Sequence, residues 1–196
     1  MTVIAALETE RGAYIASDSF VVDELGAYYM HPTQTKVRKN GDWLIGTAGR
    51  MRVGQVVQYM ELPAPPGPDD DPNAYMTRVI AKALQEEFED AGLDFTDSGQ
   101  KFISHSELLL VENGRVWTVS DDYAVCRATE YHESETLGYT AVATIGSGAA
   151  FALGAWYSLI DKDDSPEYIV ETMVKAAIEF DFACGGEPQH WEQLIE

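Results

Sequence analysis

Residues 2–19 read TVIAALETERGAYIASDS, two apolar runs at 2–7 and 13–17 on either side of the polar segment 8–12. Short runs rich in β-branched and small apolar residues, separated by a polar turn ending in Gly12, predict a β-hairpin at the start of the chain. Outward from it, 34–38 and 43–47 flank the turn residues Asn40, Gly41 and Asp42, a second strand pair. After Gly49 the period changes. Val53, Val56, Val57 and Met60 recur at helical spacing until Pro63 stops the segment.

Residues 62–74, LPAPPGPDDDPNA, combine five prolines with three successive aspartates and read as an exposed, semi-rigid loop, an insertion and not a domain linker. Met76, Val79, Ile80, Ala83, Leu84 and Phe88 then mark a second amphipathic helix ending near Gly92. Strands return at 107–111 and 115–119 around the hairpin signal Asn113-Gly114, followed by strand at 124–128 and 140–145. A helix is predicted from Gly148 through Ile160. Ser165 as N-cap before Pro166 opens another that runs to about Ala183. The order is strands, two helices, strands, two helices and a short tail, which implies a layered α/β sandwich in one domain spanning 1–196.

Composition narrows the function. A formal net charge of -20, with 33 acidic against 13 basic residues, repels phosphate backbones and anionic lipid surfaces, so neither nucleic acid nor membrane is an expected partner. The two cysteines, Cys126 and Cys184, lie in no CxxC or Cys/His cluster, and the four histidines, His31, His105, His132 and His190, are scattered without ligand spacing. No metal and no cofactor is expected. The opening residues lack a basic n-region and a signal-peptide h-region, and no apolar run approaches membrane-spanning length, so a reducing, cytoplasmic setting is expected.

Thr2 directly follows the initiator methionine, and a small residue at that position normally lets an aminopeptidase expose it. A free N-terminal threonine carries a hydroxyl nucleophile together with an α-amine, of unperturbed pKa roughly 7.7–8, that can take its proton. Taken alone, Thr2 reads first as a β-former at the chain start. A cation such as Lys36 beside it would lower the hydroxyl and amine pKa values, and a carboxylate such as Asp18 would hold that cation charged and oriented.

Several short motifs occur in one order: TVIAAL and GAYIASDS, Gln34-Thr35-Lys36-Val37, Leu44-Ile45-Gly46-Thr47-Ala48-Gly49, Ile145-Gly146-Ser147-Gly148, and Asp181-Phe182-Ala183-Cys184-Gly185-Gly186. Together they resemble the proteasome β-subunit and HslV group of N-terminal-nucleophile hydrolases over nearly the whole chain. The resemblance implies an α/β (α+β) fold, a four-layer αββα sandwich of two antiparallel sheets flanked by helix pairs. It also implies a catalytic set of Thr2, Asp18, Lys36, Ser147 and Asp181, with the Gly46 amide in the oxyanion hole. Cys184 stands where many relatives have serine, and the segment Gly49-Arg50-Met51-Arg52 lacks the acidic residue usual there. By position, Val21, Gln34, Leu44 and Ala48 would line a mainly apolar pocket for the side chain preceding the cleaved bond.

The implied activity is threonine-type endopeptidase, with no propeptide, so that removal of Met1 is the whole of maturation. The implied assembly is a homo-oligomeric ring of six or seven subunits, single or stacked, acting on peptide or unfolded protein, with an AAA+ ATP-driven unfoldase as a candidate partner. Two other readings keep the fold: a catalytically silent scaffold subunit, and an amidohydrolase acting on a small amide.

Overall fold

The computed structural model describes residues 2–22, 28–30, 35–128, 130–134, 138–162 and 164–195. Strand β1 (Ile4–Thr9) turns at Glu10-Arg11 into the antiparallel β2 (Gly12–Ser17), with Ile4 opposite Ser17 and Thr9 opposite Gly12. The turn is closed locally: the Arg11 amide donates to Thr9 Oγ1 at 3.1 Å, and that hydroxyl donates to the Gly12 carbonyl at 3.1 Å. Every residue of both strands is buried, which places the predicted opening hairpin in the centre of the molecule.

The two-residue alternation of these strands divides them between two cores. Val3, Ala5, Leu7, Tyr14 and Ala16 point to one side and pack with Trp156, Met173, Val174 and Ala177. Ile4, Ala6, Ala13 and Ile15 point to the other and meet Leu44, Leu109, Val111 and Val116. The first sheet is completed by β12 (Glu130–Ser134), β13 (Gly138–Ile145) and β14 (Gln189–Leu194), in the order β12-β13-β1-β2-β14. Its outer face carries α4 (Ala149–Leu159) and α5 (Pro166–Phe180). Helix α5 begins as expected, with Pro166 in the first turn and Ser165 Oγ accepting from the Tyr168 amide at 3.3 Å, but ends at Phe180, short of Ala183.

The second sheet runs β11-β10-β9-β6-β5, formed by β5 (Val37–Asn40), β6 (Trp43–Ala48), β9 (Glu107–Glu112), β10 (Arg115–Val119) and β11 (Val125–Arg127). Asn113 and Gly114, both at positive φ (46° and 75°), make the tight turn between β9 and β10. Trp43, Ile45, Leu108, Leu110 and Trp117 face outward onto α1 (Met51–Tyr59) and α3 (Ala81–Asp90), where Val53, Val57, Leu84 and Phe88 complete a core. All the pairings of both sheets are antiparallel. Helices, sheet, sheet and helices therefore stack as the αββα sandwich that the sequence implies.

Four features differ from the sequence reading. The second helix starts earlier, as α2 (Pro72–Tyr75), capped by Asp71 Oδ1, which accepts from the Asn73 amide at 3.0 Å. A π-helical run, Met76–Ile80, then leads into α3. The proline-rich segment before it is tied down: Pro66 is buried, Trp43 Nε1 donates to the Pro63 carbonyl at 2.9 Å, and the Tyr75 hydroxyl donates to the Ala64 carbonyl at 2.9 Å. The closing residues, read as a tail, form β14 along the edge of β2. Two small hairpins also appear, β3 (Phe20–Val22) with β4 (Tyr28–Met30), and β7 (Asp94–Asp97) with β8 (Gln100–Ile103). No helix among the described residues is long and apolar enough to cross a membrane.

Candidate active site

Thr2 sits just ahead of β1 and is buried at 5% exposure. The turn 146–148, between β13 and α4, holds it. Its amide donates to Ser147 Oγ at 3.4 Å, and its carbonyl accepts from the Gly148 amide at 3.3 Å. Gly146 allows this closeness: it has φ of 90°, and a Cβ there would lie 2.2 Å from the Thr2 carbonyl oxygen. Glu107 Oε2 accepts from the Gly146 amide at 2.9 Å and fixes the turn to β9.

Asp18 follows β2 directly, so the hairpin returns it to the start of β1. Its Oδ1 accepts from the Val3 amide at 3.0 Å and from Lys36 Nζ at 2.6 Å, and its Oδ2 accepts from the Gly185 amide at 3.1 Å. The carboxylate is completely buried and Lys36 is 8% exposed, so this ion pair works in a low-dielectric setting where its geometry is held tightly. Burial pushes the Lys36 ammonium below its usual pKa, and Asp18 opposes that by favouring the charged form.

Asp181 closes the C-terminal end of α5. Its Oδ1 accepts from the Ala183 amide at 3.0 Å and its Oδ2 from the Cys184 thiol at 3.4 Å. Burial works against its ionised form, yet hydrogen bonds from Ser147, the Ala183 amide and Cys184 hold its carboxyl below the usual range. Ser147 Oγ, which accepts from the Thr2 amide and lies 3.5 Å from the Thr2 carbonyl, thus stands between Thr2 and Asp181. Burial, with Asp18 and Asp181 nearby, pushes the Cys184 thiol up to about 12; it is a neutral donor and not a thiolate. The structure therefore brings together Thr2, Asp18, Lys36, Ser147, Asp181 and Cys184, six residues from five separate stretches of chain.

Gly46 is not with them. It lies inside β6, opposite Val37 of β5 and Leu109 of β9. The Thr47 amide donates to the Lys36 carbonyl at 2.9 Å, so strand alternation turns the Gly46 amide the other way, into the ladder with β9. A Cβ on Gly46 would meet Ile4 Cδ1 at 3.0 Å: this glycine lets the two sheets approach. Gly49, past the end of β6, is the glycine on the cleft. It is exposed, lines both hollows that Thr2 lines, and its amide has no hydrogen-bond partner among the described residues. With φ of 116°, and with the His105 carbonyl 2.3 Å from where its Cβ would be, only glycine fits comfortably there.

The pocket residues divide similarly. Val21 lines the cleft beside Thr2, and Ala48 lines the adjoining hollow. Leu44 points into the core between the sheets, because it is two residues from Gly46 on the same face of β6. Gln34 lies outside the described residues. In their place Thr35, Thr47, Met51 and the guanidinium-bearing Arg38 form the wall, so the cleft is less apolar than expected. Among the described residues no group of His, Cys, Asp and Glu is arranged to hold a metal ion.

These layers and this topology are those of the proteasome-like N-terminal-nucleophile hydrolase fold. The particular structures that show it include BPH from Thiobacillus denitrificans in complex with epoxomicin, with a TM-score of 0.76 and 16% identity, covering 99% of each chain. HslV from Trypanosoma brucei matches with a TM-score of 0.63 and 16% identity, covering 97% of this chain and 98% of that one. The Anbu complex from Pseudomonas aeruginosa, a helical assembly, matches with a TM-score of 0.62 and 13% identity, covering 98% of this chain and 81% of that one. No family model and no curated protein matches the sequence.

Proposed function

We propose that the chain is a threonine-type endopeptidase subunit of a proteasome-like, self-compartmentalising assembly, with Thr2 as N-terminal nucleophile once Met1 is removed. The observation that carries this reading is the junction at Thr2 of a buried Lys36–Asp18 pair, the Ser147–Asp181 relay and the open cleft lined by Gly49. In this mechanism Thr2 Oγ attacks a peptide carbonyl while the freed α-amine accepts the hydroxyl proton. Lys36 favours the developing negative charge on Oγ, and Asp18 holds Lys36 in place. The unpaired Gly49 amide, not that of Gly46, donates to the oxyanion. Collapse of the tetrahedral intermediate releases the amine product, protonated by the α-ammonium, and leaves an ester on Thr2 that a water hydrolyses. Ser147 and Asp181 orient the amine, with Cys184 donating to Asp181 where a serine would otherwise stand.

An active site of this kind in a cytoplasmic enzyme calls for enclosure by copies of the same chain. Anbu from Pseudomonas aeruginosa, a fold neighbour found as a helical assembly, supports a homo-oligomer, for which a ring of six or seven subunits is the proposed form and an AAA+ unfoldase the candidate feeder. The decisive experiment joins intact mass to a peptide assay. Met1 is absent from the mature chain, a threonine-directed epoxyketone labels Thr2, and Thr2→Ala abolishes peptide hydrolysis while the assembly stays intact. Hydrolysis unchanged in Thr2→Ala would overturn the reading. Retention of Met1 with no labelling would favour the silent scaffold, and turnover confined to small amides would favour the amidohydrolase.

A further inference from the structure

Arg38 lies on β5 opposite Ile45, two residues beyond Lys36 and so on the same face of the strand. It lines the cleft that Thr2 lines. Its guanidinium rests over α1, where Gly54 leaves the necessary space: a Cβ on Gly54 would lie 2.7 Å from Arg38 Nη1 and 2.7 Å from Thr47 Oγ1. Arg38 is half-buried, and burial pushes its pKa below the usual arginine value. Among the described residues its guanidinium forms no ion pair and no hydrogen bond.

A partly desolvated guanidinium without a carboxylate among the described residues is an incomplete arrangement, since such charges are ordinarily paired. It is more conspicuous in a chain with 33 acidic residues against 13 basic ones, where a partner from the protein itself would be easy to supply. The rest of the wall gives what a short acidic side chain needs. Val21 and Met51 offer apolar surface to its methylenes, and the Thr35 and Thr47 side chains stand on the same wall.

We propose that Arg38 makes this cleft select an acidic residue, Glu or Asp, immediately before the cleaved bond. The inference rests on the peptidase reading above and replaces the expectation of an apolar pocket. A carboxylate entering the cleft forms a two-pronged pair with the planar guanidinium. An apolar side chain of similar size leaves that charge unpaired and removes more of its water, and a basic one is repelled. The net charge of -20 disfavours acidic peptides at long range, so an advantage for them must arise locally.

The test is calorimetric titration of the Thr2→Ala protein, in which no turnover consumes ligand, with two acetylated tetrapeptide amides differing only in a final Glu or Gln. The Glu peptide is expected to bind at least tenfold tighter. Arg38→Met removes that difference, and Arg38→Lys, which keeps the charge but loses the fork, retains part of it. Equal binding of the two peptides, absence of binding by either, or a Glu advantage that survives in Arg38→Met overturns the proposal. Epoxyketone labelling of the unsubstituted protein separates the two readings: Thr2 labelled without a Glu preference sinks the role of Arg38 alone, whereas Thr2 unlabelled sinks the peptidase reading whatever the peptides do.

Discussion

Two glycines three residues apart, Gly46 and Gly49, have opposite assignments in space, and only their environments distinguish them. Gly46 faces Ile4 between the sheets and Gly49 faces the cleft. Gly46→Ala must displace Ile4 and is expected to lower stability by about 1–3 kcal/mol, the usual cost of overpacking, with kcat per folded molecule unchanged. Denaturant melts and active-site titration together check this. A drop in kcat at full occupancy would return the oxyanion role to Gly46. The cysteines separate in the same way. Cys126 is exposed, while Cys184 is buried with its thiol pushed up to about 12. Because the thiolate is the reactive form, iodoacetamide at pH 8 should alkylate Cys126 and spare Cys184 in the native protein, as peptide mass mapping would show. Modification of Cys184 at a comparable rate would contradict its placement.

At the scale of elements, the hairpins and helices that carry their own signals were legible. β1 and β2 show an apolar run on each side of a polar turn, β9 and β10 meet at Asn113-Gly114, and α5 opens with Ser165-Pro166. β14 has no such signal. Its sequence QHWEQL alternates half-buried with exposed residues and becomes a strand because β2 offers an open edge, with Trp191 opposite Ile15. It is fastened by side-chain amides as well: Gln193 Oε1 accepts from the Gly114 amide at 3.1 Å, and Gln193 Nε2 donates to the Asp42 carbonyl at 2.8 Å. Trp191 packs on the core between the sheets while remaining half-buried. Trp191→Ala is therefore expected to cost about 1–2 kcal/mol, less than the roughly 3–5 kcal/mol of a fully buried tryptophan. A chemical melt with no shift in midpoint would mean that β14 is an ornament of the edge and not part of the core.

Across the whole molecule, charge sets the terms of assembly. Copies carrying -20 each repel one another, and that repulsion is screened over roughly 10 Å at 0.1 M salt and roughly 30 Å at 0.01 M. The proposed oligomer should consequently be favoured as sodium chloride rises from 10 to several hundred millimolar, in the sense opposite to an assembly held by surface ion pairs. Light scattering across that range checks it, and dissociation on adding salt would point to charge-paired interfaces.

The residues themselves determined the alternation of strand and helix blocks, the separation of the two unclustered cysteines, and the order in which Thr2, Asp18, Lys36, Ser147, Asp181 and Cys184 appear. Periodicity and turn chemistry are local properties, so they survive in a one-dimensional reading. Which face of β6 each residue presents, which amide is left unpaired at its end, and whether Arg38 finds a partner were decided only by the tertiary structure. Those properties depend on register between strands distant in sequence. A shift of one residue would exchange the core face of β6 for the helix face.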